Sequence, residues 1–142
     1  MANLILPDEG LVAAQAALLN AVYPVGTCYL RLYDNAYTIT KGTVKADLSE
    51  VNSGSYPGYA AQPITFSPGG VALDGAAHQA FVYSSVCTFT TSSGSADTVY
   101  GAFILDVTGT FLLAAYTFAL PVAFDSTHPI VCQVKHTYES KY

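Results

Sequence analysis

Residues 99–118, VYGAFILDVTGTFLLAAYTF, are the most apolar run of the chain, and a run of this length either crosses a membrane or folds into a sheet. A membrane-crossing helix needs about 20 residues with few polar interruptions, whereas this run carries Asp106, Thr108, Gly109 and Thr110 at its middle. An aspartate at a bilayer centre costs about 2.5–3.5 kcal/mol on insertion scales, and glycine and threonine return nothing. The run therefore reads as two strands. Val99, Gly101, Phe103 and Leu105 alternate with Tyr100, Ala102 and Ile104; Phe111, Leu113, Ala115 and Thr117 alternate with Leu112, Ala114, Tyr116 and Phe118. That is the period of two of a strand. Between them, Asp106 to Thr110 supplies a turn starter and a glycine able to take a positive φ, which closes a hairpin. Neither strand has a polar face, so both sides of the hairpin need cover: one from the domain core, the other from a second layer or another subunit.

Charged residues are 11% of the 142, against roughly 25% in ordinary soluble domains. This deficit says more than the net charge of −5. A free monomer clothes itself in Lys, Glu, Asp and Arg, so a chain that is 51% apolar is expected to lose surface in assembly, as a homo-oligomer or a subunit of a larger body. Five basic residues spread over the length make no patch for a nucleic acid, and no nucleic-acid or membrane partner is expected. The opening residues carry no signal-peptide pattern, so synthesis in a cytoplasm is the expectation. Cys28, Cys87 and Cys132 are an odd number and sit in apolar strand-like runs, where cysteine packs as a small hydrophobe.

Along the chain, Pro7-Asp8-Glu9-Gly10 followed by LVAAQAALLNAV reads as the one helix, with acidic residues at its dipole-positive start, Leu11, Leu18, Leu19 and Val22 along a stripe, and Pro24 and Gly26 ending it. Strand-like runs follow at TCYLRLYDN (27–35), GYAAQPITF (58–66), HQAFVYSSVCTFTT (78–91), the hairpin, and HPIVCQVKHTY (128–138), with turn clusters SGSYPG, SPGG and TSSGSAD between them. Short strands with Gly, Pro and Ser punctuation predict an all-β fold: a single β-sandwich or jelly-roll-like domain over 25–142, preceded by an N-terminal arm and helix over 1–24.

The constellations of metal-capable and catalytic residue types resolve into structure. His128, Cys132 and His136 are spaced by four, which aligns ligands on a helix, but Pro129, Ile130, Val131 and Val134 make this a strand, where residues four apart lie roughly 13 Å from each other. A zinc ion, with ligands about 2.0–2.3 Å away, does not span that. The serines lie in turns without a nucleophile elbow, and neither Cys87 nor Cys132 has an identifiable base with an orienting group. Asp34, Asp47 and Glu50 read as solvated carboxylates rather than an acid–base set, and Gly54, Gly58, Gly69 and Gly70 lack a phosphate-loop lysine. No metal or cofactor is expected.

The eleven tyrosines, with no tryptophan, suit interfaces, because tyrosine brings large contact area and a polar tip at low entropic cost. Tyr33, Tyr37, Tyr56 and Tyr59 cluster in the loop-rich half and, with Phe111 and Tyr116 of the hairpin, are the candidate interface residues. Packing at sheet ends is the alternative for the clustered four.

Taken in order, GLVAAQAALLNAV, YLRLYDNAYTIT, ADLSEVNSGSYPGYAAQPITF and TVYGAFILDVTGTFLLAAYTF resemble a family of small tailed-bacteriophage virion structural proteins. The resemblance rests on a strand ending in Leu32, Tyr33 and Asn35; on Asp47 and Glu50 followed by Gly58 and Tyr59; and on Tyr100, Gly101, Asp106 and Gly109 of the hairpin. It implies a non-enzymatic virion component, made in the host cytoplasm. Its foremost form is a capsid decoration or cement subunit, or another head- or tail-associated protein, whose partners are itself and a major capsid or other virion protein. The alternative is a receptor- or glycan-binding module of a tail or fibre. A small hydrolase using Asp47 or Glu50 comes third.

Overall fold

The computed structural model describes residues 28–67, 70–74, 79–105, 109–110 and 112–139. They are all-β, in antiparallel sheets, with a 3₁₀ turn at Lys45–Asp47. The expected N-terminal arm and helix over 1–24 lie outside the described residues. The chain separates into two compact units, each assembled from distant segments: residues 28–64 with 87–132, and residues within 65–86 with 133–139.

The first unit holds β1 (Cys28–Tyr33) and β2 (Gln62–Ile64), and the second holds β3 (Ala72–Asp74) and β4 (Gln79–Tyr83). The chain then returns to the first unit for β5 (Cys87–Phe89), β6 (Asp97–Leu105), β7 (Leu112–Phe124) and β8 (Ile130–Cys132), and closes in the second with β9 (Lys135–Glu139). The first unit pairs its strands in the order β2-β1-β6-β7, with β5-β8 as a separate ladder; the second pairs β3-β4-β9.

Both apolar runs expected as long strands, 78–91 and 128–138, are broken in two, the first at Ser84-Ser85-Val86 and the second at Gln133-Val134. Ser84 explains the breaks. Its N–H donates to the Val134 carbonyl (2.8 Å), its hydroxyl accepts from the Val134 N–H (3.0 Å) and donates to the Ser85 carbonyl (2.7 Å), and the Gln133 amide donates to the Ser84 carbonyl (2.9 Å). Side-chain groups thus satisfy backbone groups that a continuous ladder would otherwise have paired. In the second unit, buried Ala80, Val82 and Phe66 form the interior, Phe66 meets His136 edge-on, and the Lys135 ammonium lies 4.4 Å from the Phe81 ring centre.

The hairpin of the first unit is β6 and β7, and Gly109 takes the positive φ of 71° that its loop requires. β6 is buried on both faces from Gly101 to Leu105, as a central strand without a polar face must be. One face carries Tyr33, Leu48, Phe103 and Leu105, flanked by Tyr37, Ile39, Tyr100, Leu112 and Ala115. Elsewhere in the unit, Tyr59 stacks on Phe89 (centroids 5.9 Å) and meets Phe124 edge-on (6.1 Å).

Gly101 sets how closely β1 and β7 flank β6. Tyr33 is its direct partner on β1 and Thr117 its partner on β7. The Tyr33 ring lies across the bare backbone, and its hydroxyl meets the Thr117 hydroxyl at 2.9 Å. A Cβ on Gly101 would fall 2.6 Å from the ring and collide with the Tyr116 carbonyl. Overpacking a rigid core position costs typically about 1–3 kcal/mol. Gly101→Ala is therefore expected to lose about 3 kcal/mol in urea unfolding, while Gly94→Ala, with no atom within 4 Å of the new carbon, should stay within about 0.5 kcal/mol of wild type.

Candidate functional site

β7 is the end strand of its sheet, and among the described residues no strand pairs with its outer edge. Its thirteen residues, LLAAYTFALPVAF, are exposed or half-buried at every position except Phe124. No charged residue stands between Asp106 and Asp125. Long apolar edges are normally blunted by charge, proline or a bulge, because they invite other chains. This one has the last two. Val99 faces Val122 and Gly101 faces Thr117, so Phe118, Ala119, Leu120 and Pro121 all stand opposite Tyr100 alone. The bulge pushes Leu120 outward to 77% exposure, and Tyr116, 65% exposed, lies with its ring 6.1 Å from that of Phe118.

Beside the bulge lies an open apolar groove of about 620 Å³ between Phe118, Val122 and Ala123 on one side and Pro129, Ile130 and Val131 on the other. Thr127 and His128 form its polar end. Asp125 fixes that end as a tight turn: its Oδ1 accepts from the Thr127 N–H (2.8 Å), the Thr127 hydroxyl (2.7 Å) and the His128 N–H (3.0 Å), and lies 2.9 Å from His128 Nδ1. These bonds, led by those from Thr127, hold the Asp125 carboxyl down at about 2. The carboxylate is thus committed to shaping the turn.

The candidate interface residues scatter. Tyr116 lies on the exposed strand, whereas Tyr33 and Tyr59 are core residues at 0% and 6% exposure, so for these two the structure favours the packing alternative over an interface role. Tyr37 is half-buried against the Tyr33 cluster, and Tyr56 is half-buried with its ring 6.3 Å from Phe124. Phe111 lies outside the described residues. Sequence reasoning ended the second hairpin strand at Phe118 and so missed Leu120 and Val122. The missed signal was Pro121 inside an uncharged apolar run, since proline within a strand marks an edge or a bulge.

The carboxylates grouped in the sequence go to three separate tasks. Asp47 accepts the Val44 N–H (2.9 Å) and closes the 3₁₀ turn. Glu50 pairs through both oxygens with one Arg31 nitrogen (2.9 Å each) and accepts the Tyr59 hydroxyl (3.2 Å), which itself accepts the buried Leu32 N–H (3.0 Å). A pocket of about 430 Å³ opens beside this network. Burial drives the Tyr59 phenol well above its ordinary value, so it stays a donor. Asp34 sits against Asp97. Among the described residues no three His, Cys, Asp or Glu side chains come together as a metal site, and no helix is long and apolar enough to cross a membrane. No family model matches the chain, and no curated protein or solved structure matches it.

Two outcomes follow from these contacts. Tyr59→Phe strands the buried Leu32 N–H and is expected to cost about 1–3 kcal/mol in urea unfolding. Burial raises the Asp97 carboxyl above 3.8, the Thr98 N–H opposes this, and the neighbouring Asp34 carboxyl adds to it. The folded chain therefore holds the Asp97 proton at pH values where the unfolded chain has lost it, and this contribution to stability falls as pH rises from 3.8 through the raised value. Asp97→Asn should be more stable than wild type at neutral pH, with the advantage shrinking towards about pH 4 in unfolding titrations.

Proposed function

We propose that the protein is a non-enzymatic structural subunit of a tailed-phage virion, a capsid decoration or cement protein that associates with itself and with a major capsid or other virion protein. The observation that carries the assembly part is β7, a thirteen-residue uncharged strand left open at the end of its sheet. The virion part rests on the motif resemblance around Tyr33, Glu50, Tyr59 and Gly101. On this reading the fold is a β-sandwich or jelly-roll-like barrel, supported by the two-sided burial of β6.

The chemistry of the surface favours a second copy as one occupant. A two-fold contact needs each subunit to carry both halves of a complementary pair. Leu120 projects beside an apolar groove on the same chain, so two copies can each place the bulge in the other's groove. Burying one leucine side chain contributes about 1.5–3 kcal/mol, and symmetry doubles it. Pro121 and the bulge oppose plain strand addition, so side chains rather than a continued ladder make the contact.

A receptor- or glycan-binding role is the second reading, favoured by the exposed Tyr116 beside Phe118 and by the polar end of the groove at Thr127 and His128. It requires Tyr116→Ala to lose binding to host cells without loss of fold.

The test of self-association is light scattering on the full chain. Wild type is expected to form an oligomer that persists as salt is raised, because no charged pair supports the contact. Leu120→Asp should dissociate it with an unchanged circular-dichroism spectrum. A wild type that stays monomeric at high concentration overturns the self-association. Mass spectrometry of purified particles tests the virion assignment: copies in the hundreds support decoration, a handful moves the protein to a vertex or tail tip, and absence rejects the assignment.

A further inference from the structure

We propose that Cys87 and Cys132 form a reversible cross-strand disulfide, closed by a low-molecular-weight disulfide when the chain passes from a reducing to an oxidising environment. The inference stands apart from the virion reading and rests on strand register. β5 and β8 pair antiparallel with Cys87 directly opposite Cys132, so both side chains leave the same face of the ladder. Directly opposed residues have Cα atoms about 4.5–5.5 Å apart, inside the disulfide range of about 4.4–6.8 Å. Their Cβ atoms, about 4.5–5.5 Å apart in such a pair, must draw in by up to about 1 Å to reach bonding geometry. The resulting bond is somewhat strained and therefore reducible. Cys28, the third thiol, faces Ile64 across β1 and β2.

Exposure orders the steps. Cys132 is half-buried and Cys87 is buried, its S–H directed at the Pro63 carbonyl 3.8 Å away. The Cys132 thiolate attacks the small disulfide, forming a mixed disulfide and expelling one small thiolate. The Cys87 thiolate then attacks the Cys132 sulfur, expelling the second. Two protons leave the protein, its two thiols are oxidised, and one small disulfide is reduced to two thiols. Burial, with the Cys87 thiol adding to it, pushes the Cys132 thiol up to about 11, and burial raises Cys87 as well. Closure is therefore slow near neutrality and should quicken about tenfold per pH unit well below that value, following the thiolate fraction. Once made, the bond closes a loop that contains all of β6 and β7, which restricts the unfolded chain and raises stability.

The test treats the native full chain with oxidised glutathione at mildly alkaline pH, then maps the peptides after thiol blocking. The expected result is loss of two hydrogens from the intact mass, a peptide joining Cys87 to Cys132, and a melting temperature that rises on oxidation and returns with dithiothreitol. Cys28→Ser should leave the bond intact, and Cys132→Ser should abolish it. A glutathione adduct that stops at Cys132, a bond involving Cys28, or native thiols that stay reduced while the unfolded chain oxidises would each overturn the proposal.

Discussion

The approach of the Tyr33 ring to the bare backbone at Gly101 fixes the centre of the main sheet. Three strands meet along one line there, with Tyr33 on β1, Gly101 on β6 and Thr117 on β7. Any side chain at 101 would lift the ring and separate its hydroxyl from Thr117. The ring also packs 6.4 Å from Phe103, so the same residue ties the hairpin to the cluster that includes Leu48 and Leu105. A tyrosine that reads in the sequence as a strand-end candidate for an interface is, physically, the clamp between adjacent strands.

Holding β7 to β6 in this way leaves β7 with an outer edge and a largely exposed surface. Both strands of the hairpin are predominantly apolar, yet β6 is buried on both faces from Gly101 to Leu105 while β7 is open. Position in the sheet makes the difference, because only the strand between two neighbours is enclosed. An aqueous surface that includes Leu113, Tyr116, Leu120 and Val122 carries a standing hydrophobic cost that association removes. The low charge of the whole chain is concentrated here as complete absence.

The all-β class, the hairpin and the turn at Gly109 were legible in the sequence because period-two alternation and turn chemistry are local. The strand breaks were not. Ser84 interrupts two runs distant in sequence through bonds to Val134 and Gln133, and only tertiary structure brings those residues together. Exposure of the candidate tyrosines was legible only in part: Tyr116 is exposed on its apolar strand, while Tyr33 and Tyr59 are buried, because tyrosine composition does not report whether the hydroxyl has a hydrogen-bond partner within the fold. Tyr59 has two, Leu32 and Glu50, and Tyr33 has Thr117. The facing of Cys87 and Cys132 likewise depends on register, which 45 positions of separation conceal.

A surface without charges must obtain its selectivity from shape. Electrostatic patterning steers partners and rejects wrong ones, and from Val107 to Phe124 there is nothing of the kind. The features that remain are geometric: a four-residue bulge bearing Leu120, a proline that interrupts strand addition, and a groove held rigid at one end by the Asp125 turn. The bulge and Pro121 oppose indefinite sheet growth, and the groove offers an apolar floor with a polar end at Thr127 and His128. On the assembly reading proposed above, these features oppose open-ended strand addition and leave side chains to make the contact, and a contact of that kind closes on a two-fold where a continued ladder does not.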